Sequence, residues 1–427
     1  MNDPISCEVP HDDVPHADTR HDSYAALRHR EFRWFIVSLF TMVVGTQCQA
    51  VVVGWQVYGI THDPLSLGLI GLAEALPFIA IALPAGYLAD RYNRRTLSVL
   101  SLLVLSLCSV VLLSLSVSPR LLARVGVGPI YVTIFASGIA RSVLQPARQA
   151  LSAEIIPRSM YQNAIAWRSS TWQIASVIGP ALGGLLYGFA GAIAAYALAA
   201  LLILCALGAY LMLHYTPVPR ALQDESMSAE LLTGLRFVWS EPAILGALSL
   251  DLFSVFLGGA EALLPVFAAE ILKVGPQGLG LLRAAPAAGA VAMGIFLAHR
   301  PPFERAGRTM LIAVAVFALG IVGFGLSRSF WLSLSLLALS GMADNVSVVI
   351  RSTLIQVLTP REMLGRVAAV NSIFIGSSNE LGAFESGVAA RLLGAVRAVV
   401  LGGGAALLVV GATARLVPRL RNLGRIG

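Results

Sequence analysis

Long apolar runs, each about twenty residues and separated by short polar clusters, occupy most of the chain. A helix crossing about 30 Å of hydrocarbon needs roughly that many apolar residues. Six such runs fall at 34–58, 66–89, 97–117, 130–150, 165–187 and 191–213. Six more fall at 243–268, 278–298, 309–327, 330–350, 366–389 and 396–416. From Ser169 to Leu213 there is no charged residue at all. That stretch is too long for one span, and Tyr187-Gly188-Phe189-Ala190-Gly191 is the expected turn within it. A segment in lipid must satisfy its own backbone, so runs of this length are helices. The pattern predicts an all-α membrane protein with twelve transmembrane helices.

The longest polar break runs from His214 to Pro242. It holds Asp224, Glu225 and Glu230, followed by Leu231, Leu232, Leu235, Phe237 and Val238 at helical spacing. This reads as a linker with an amphipathic helix lying on the membrane surface. The expected organisation is a polar tail (1–33), a six-helix bundle (34–213), the linker (214–242), a second six-helix bundle (243–417) and a short tail (418–427).

The two bundles are related in sequence. Residues 137–184 align with 340–387 without a gap. Ser137, Gly138 and Ala140 meet Ser340, Gly341 and Ala343; Pro157, Arg158 and Met160 meet Pro360, Arg361 and Met363; Gly179 and Gly184 meet Gly382 and Gly387. Chance likeness of apolar helices accounts for leucines and alanines, but not for a shared Pro-Arg-x-Met register. Six spans per repeat is an even number. The halves therefore run in the same direction, related by an axis along the membrane normal, with a cavity between them.

Composition sharpens this. The chain is 57% hydrophobic and 12% charged, about half the charge of a soluble protein. The net charge of +7 lies in short clusters between apolar runs, not on one basic face, so nucleic acid is not the partner. An anionic lipid leaflet is. Most of the 30 basic residues fall on the side that holds both tails, including Arg91, Arg94, Arg95, Arg148, Arg300 and Arg351. By the positive-inside rule both termini are expected in the cytoplasm of a bacterial inner-membrane protein.

Cys7, Cys48, Cys108 and Cys205 are far apart and suit no metal or disulfide spacing. His11, His16 and His21 stand among aspartates in the tail, where a solvated segment is the plainer reading than a metal site. No signal peptide is recognisable. The single lysine, Lys273, belongs to no phosphate-binding loop, and no nucleophile–base set or metal set appears. The sequence thus predicts no enzyme and no cofactor. An ion gradient is the expected driver, protons first and sodium as the alternative.

Gly86-Tyr87-Leu88-Ala89-Asp90-Arg91-Tyr92-Asn93-Arg94-Arg95, between spans 2 and 3, resembles the signature of the major facilitator superfamily. The resemblance implies a cytoplasmic gate built on Gly86, Asp90, Arg91, Arg94 and Arg95. In span 5, Gly179-Pro180-Ala181-Leu182-Gly183-Gly184 is similar to the motif of drug:proton antiporters. There Gly179, Gly183 and Gly184 allow close helix approach, and Pro180 bends the span. The upstream glycine of the longer motif is replaced, with Ser176 in that stretch, and Pro180 becomes Ala383 in the repeat. Residues 24–418 resemble the branch that contains the enterobactin exporter and macrolide efflux pumps. That implies export by a monomer.

A charge near the bilayer centre costs about 2.5–3.5 kcal/mol and usually faces a cavity or a partner. Glu74, about ten residues from both Pro64 and Pro84, is expected near the midplane, as is Asp251. Arg141 and Asp344 are the same position of the repeat with opposite charge, and are expected to face the cavity from opposite halves. Glu380, Glu385 and Glu261 are placed toward the outer side, and Arg283 within span 8. A midplane carboxylate can exchange a proton with substrate. Gln47, Gln49, Gln56, Trp55, Trp172 and Gln173 are candidate substrate contacts, with helix packing as the plainer role. The expected function is proton-coupled export of amphipathic small molecules, a siderophore or a drug. Import of a metabolite, lysophospholipid movement, and a non-transporting receptor are the alternatives.

Overall fold

The computed structural model describes residues 24–118, 122, 124–215, 227–301, 303–360 and 363–424. The histidines of the tail, and the side chain of Asp90, lie outside the described part. The described residues are helical almost throughout. The first bundle comprises α1 (Arg30–Thr61), α2 (Pro64–Arg91), α3 (Arg94–Val117), α4 (Gly128–Glu154) and α5 (Tyr161–Met212). After α6 (Met227–Ser240) come α7 (Pro242–Gly258), α8 (Gly275–Ala298), α9 (Ala306–Leu326), α10 (Phe330–Leu358), α11 (Leu364–Leu393) and α12 (Ala395–Leu416).

Nine helical stretches among the described residues are long and apolar enough to cross a membrane. The longest of them, α5, contains two spans. Gly191 breaks it with φ +84° and ψ 176°, a backbone conformation essentially reserved for glycine. α4 and α11 have membrane length too, but carry the charges discussed below and so fall short on hydropathy. With these, twelve segments of spanning length are present. Gly394, between α11 and α12, has φ +86° and ψ 149°. It stands at the position of the repeat that Gly191 occupies, so the two halves turn from their fifth to their sixth span by the same glycine device.

Local chemistry sets the other turns. His62 closes α1 in the left-handed region, and Asp63 opens α2 by accepting from Leu65 N–H at 3.0 Å, with Pro64 as the first helical residue. Asn93 opens α3, accepting from Arg95 N–H at 2.9 Å and Thr96 N–H at 3.3 Å. The seventh span departs from the expected single helix. α7 ends at Gly258, and the chain continues through a 3-10 turn at Glu261–Leu263 and a π-turn at Phe267–Ile271. Proline at 265 and glycines at 258 and 259 interrupt the regular helix there.

The core is divided in an informative way. One buried cluster near the end bearing the termini belongs to the first bundle, around Phe32, Phe35, Leu39 and Tyr210. A second at that end belongs to the second bundle, around Ile244, Leu248, Met310 and Leu354. At the far end one cluster spans both bundles, joining Val51, Tyr58 and Leu67 to Leu264, Phe267, Leu279 and Phe324. The halves therefore share a hydrophobic seal at the far end and keep separate cores at the other.

Candidate functional site

Two pairs of helices carry the contact between bundles. α5 meets α8 where Gly184 faces Gly280: a Cβ at Gly280 would stand 2.6 Å from the Pro180 carbonyl oxygen and 2.8 Å from Gly184 Cα. α2 meets α11 where Gly68 faces Gly387: a Cβ at Gly68 would stand 3.0 Å from Gly387 Cα. Small residues permit this backbone-to-backbone approach. Tyr58 donates a hydrogen bond to the Glu270 carboxylate, and Arg391 lies 3.5 Å from Asp63, so polar ties between halves reinforce the far-end seal. The motif residues Gly179 and Gly183 do a different job. They press α5 onto Gln47 and Cys48 of α1 within the first bundle.

Inward of the α2–α11 contact sit Glu74, Arg141 and Glu380. Arg141 Nη2 is 3.1 Å from Glu74 Oε1, tying α4 to α2. Across the interface, the Glu380 side chain lies close to that of Glu74. Gly71, one turn from Glu74, lets α11 approach closely: a Cβ at Gly71 would stand 2.8 Å from the Glu380 carbonyl oxygen. Arg283 of α8 completes the charged group around Glu380.

Arg283 also faces a cavity of ≈ 300 Å³ between the bundles, with Glu261 and Asp344 as its acids. Gln47 of α1 and Trp172, Gln173 and Ser176 of α5 line its first-bundle wall. Asp344 lies on the wall of this cavity. Its partner in the repeat, Arg141, is turned to Glu74 instead. Glu261, at the start of the 3-10 turn after α7, is on the same wall. The centre of the molecule therefore gathers four carboxyl groups, Glu74, Glu261, Asp344 and Glu380, around two guanidinium groups, Arg141 and Arg283.

Asp251 is placed elsewhere. It is buried in an ion pair with Arg351, with side chains 9% and 4% exposed, and does not line the cavity. At the end bearing the termini, two arginines at the start of α3 knit the first bundle together. Arg94 is buried and paired with Glu154 of α4, which also accepts from Tyr215. Arg95 donates to the Leu211 carbonyl at 2.8 Å, and Arg91 is exposed. Gly86 lies within the last turns of α2. No group of three metal-ligating side chains occurs among the described residues.

The Transmembrane secretion effector family matches residues 21–425, nearly the whole chain. The chain belongs to that family. It is a multi-pass membrane protein and a secondary transporter of the major facilitator type, not an enzyme. Among secretion-effector relatives, the "Enterobactin exporter EntS" of Citrobacter koseri is 29% identical over 340 residues, covering 79% of this chain and 80% of that one. The protein of the same name from Escherichia coli O157:H7 is 28% identical over the same share. Solved structures share the fold at low identity. A bacterial homolog of the human lysosomal transporter Spinster, inward-facing and unoccupied, has a TM-score of 0.68 at 14% identity, covering 92% of this chain and 97% of that one. A POT family transporter in complex with 5-aminolevulinic acid has a TM-score of 0.72 at 11% identity, covering 92% and 96%.

Proposed function

We propose that this secretion effector exports an amphipathic small molecule, of the siderophore or hydrophobic-drug type, in exchange for protons across a bacterial inner membrane. Both termini lie in the cytoplasm, and the monomer is the working unit. The observation that carries the reading is that Glu380 of one bundle lies close to the Arg141–Glu74 pair of the other. A proton shared by the two carboxyl groups keeps α2 and α11 together. Its loss leaves two like charges facing each other in a medium of low polarity, which drives the bundles apart at that level. Proton occupancy and the opening of the cavity are thereby coupled, as antiport requires. The cargo occupies the adjoining cavity, where Asp344, Glu261 and Arg283 face Trp172 and the glutamines. The relatives that are named enterobactin exporters support export as the direction.

The test is proton movement in proteoliposomes that carry a preset pH gradient, for the wild type and a Glu74→Gln/Glu380→Gln variant. A panel of siderophores and hydrophobic cationic drugs supplies the cargo. Compounds of the panel collapse the gradient through the wild type and not through the variant. A variant that moves protons with cargo at the wild-type rate overturns the assignment.

A further inference from the structure

The contact between α2 and α11 does not stop at Glu74 and Glu380. α2 runs from the far end toward the termini and α11 runs back, so Phe78, one turn after Glu74, and Gly376, one turn before Glu380, share one level. They meet there. A Cβ at Gly376 would stand 2.6 Å from Phe78 Cζ, so the ring fills the space that a side chain would take. On the far side of the carboxyl groups Ala383 plays the same part against Gly71, where a Cβ would stand 2.6 Å from Ala383 Cβ. α4 backs α2 at this level: a Cβ at Gly138 would stand 2.7 Å from Pro77 Cγ and 3.3 Å from the Glu74 carbonyl oxygen. Along the α2–α11 contact the carboxyl groups are therefore bracketed by two tight apolar joints.

The open side of the group lies elsewhere. The side chains of Arg141 and Glu74 are 38% and 21% exposed. α4 turns Val132, Phe135 and Ile139 outward, and Arg141, two residues past Ile139, points the other way, into the molecule. Arg283, which acts on Glu380, lines the central cavity. Neither Phe78 nor Gly376 belongs to the wall of that cavity. Water thus approaches the charged group past Arg141 and Arg283, and Phe78 stands across the direct route along α2 and α11 toward the termini. A phenyl ring packed on a glycine leaves no room for water and offers no group for a proton to occupy.

We propose that Phe78, seated on Gly376, is the barrier that confines proton exchange at Glu380 to the side of the central cavity. It is a positioning residue, since it takes up neither cargo nor proton. When the halves rock open at the far end, the contacts toward the termini stay closed. Phe78 then keeps the Glu380 carboxyl from facing both compartments at once. This rests on Glu380 as the proton carrier, and it names what stops that proton from passing without cargo.

The experiment is the decay of a preset pH gradient in proteoliposomes of the full chain with no cargo present. Wild-type vesicles hold the gradient. Phe78→Ala vesicles lose it severalfold faster, and so do Gly376→Ala vesicles, in which the added methyl group pushes the ring away. Phe78→Leu restores most of the tightness, because another apolar side chain covers Gly376. Phe78→Ala/Glu380→Gln is tight again, because the leak passes through that carboxyl. Decay at the wild-type rate in both Phe78→Ala and Gly376→Ala overturns the proposal. So does a leak that persists in Phe78→Ala/Glu380→Gln, which takes another route, and so does a leak accompanied by escape of trapped calcein, which marks a damaged bundle. Tight Phe78→Ala vesicles that still exchange protons for cargo remove the barrier alone. Cargo-driven proton movement that survives Glu74→Gln/Glu380→Gln removes the proton site itself, whatever the cargo-free decay.

Discussion

Arg141 and Glu74 face each other at 3.1 Å across α4 and α2, and Glu380 of the other bundle completes the group. The arginine pairs with Glu74, which leaves Glu380 as the proton carrier of the proposed exchange. Replacing Glu380 by Gln preserves a hydrogen-bond donor but removes the exchangeable proton. Glu380→Gln is therefore expected to keep cargo binding and lose at least about 90% of gradient-driven transport, as removal of an essential proton-transfer group does. Comparing equilibrium cargo binding with uptake into inverted vesicles checks this. Transport near the wild-type rate would remove Glu380 from the coupling site.

Asp251→Asn leaves Arg351 buried with its charge uncompensated. Breaking a buried ion pair by removing one partner costs about 3–5 kcal/mol. The variant should unfold at a clearly lower temperature in detergent. Asp251→Asn combined with Arg351→Met should recover much of that loss, since no charge is then stranded. Thermal unfolding of the three proteins measures it.

Gly280 and Gly184 close the far end by backbone contact, and a methyl group has no room there. Gly280→Ala is expected to disfavour the closed far end. A cysteine introduced at Leu67, which is 4% exposed in the far-end seal, should then react severalfold faster with a membrane-impermeant maleimide. The comparison is made with the natural cysteines replaced. Unchanged labelling would show that the contact does not control the seal.

Gly191 and Gly394 make a contrasting case. Nothing lies within 4 Å of a Cβ at either position, so only the backbone resists substitution. Gly394→Ala should cost about 1–3 kcal/mol through strain, read as a lower melting temperature. Transport by the protein that remains folded should be unchanged, because neither turn touches the cavity.

The long apolar runs and the glycine-rich motifs were enough to expect an all-α membrane fold of the major facilitator type. The reason is that the bilayer admits few backbone solutions. Length and charge separate the spans without reference to distant contacts. The charged centre was only half legible. Glu74, Arg141, Asp344 and Glu380 stood out because charge is rare in apolar runs. Their partners did not, because pairing depends on helix rotation and on how closely α2 and α11 approach. Asp251 carried the same signal as Glu74, and nothing along the chain separates a buried structural pair from a cavity-facing acid. Arg351 read as a flanking basic residue, since its position gives no hint that α7 offers it an aspartate.

The sequence by itself thus determined the spans, their repeat and the family, all of which follow from local hydrophobicity and from motifs contiguous in the chain. Only the tertiary structure decided which charges meet. That choice turns on contacts between residues as distant as Arg141 and Glu74 or Arg351 and Asp251, set by the glycines that let two helices touch and by a break after α7 that periodicity does not register.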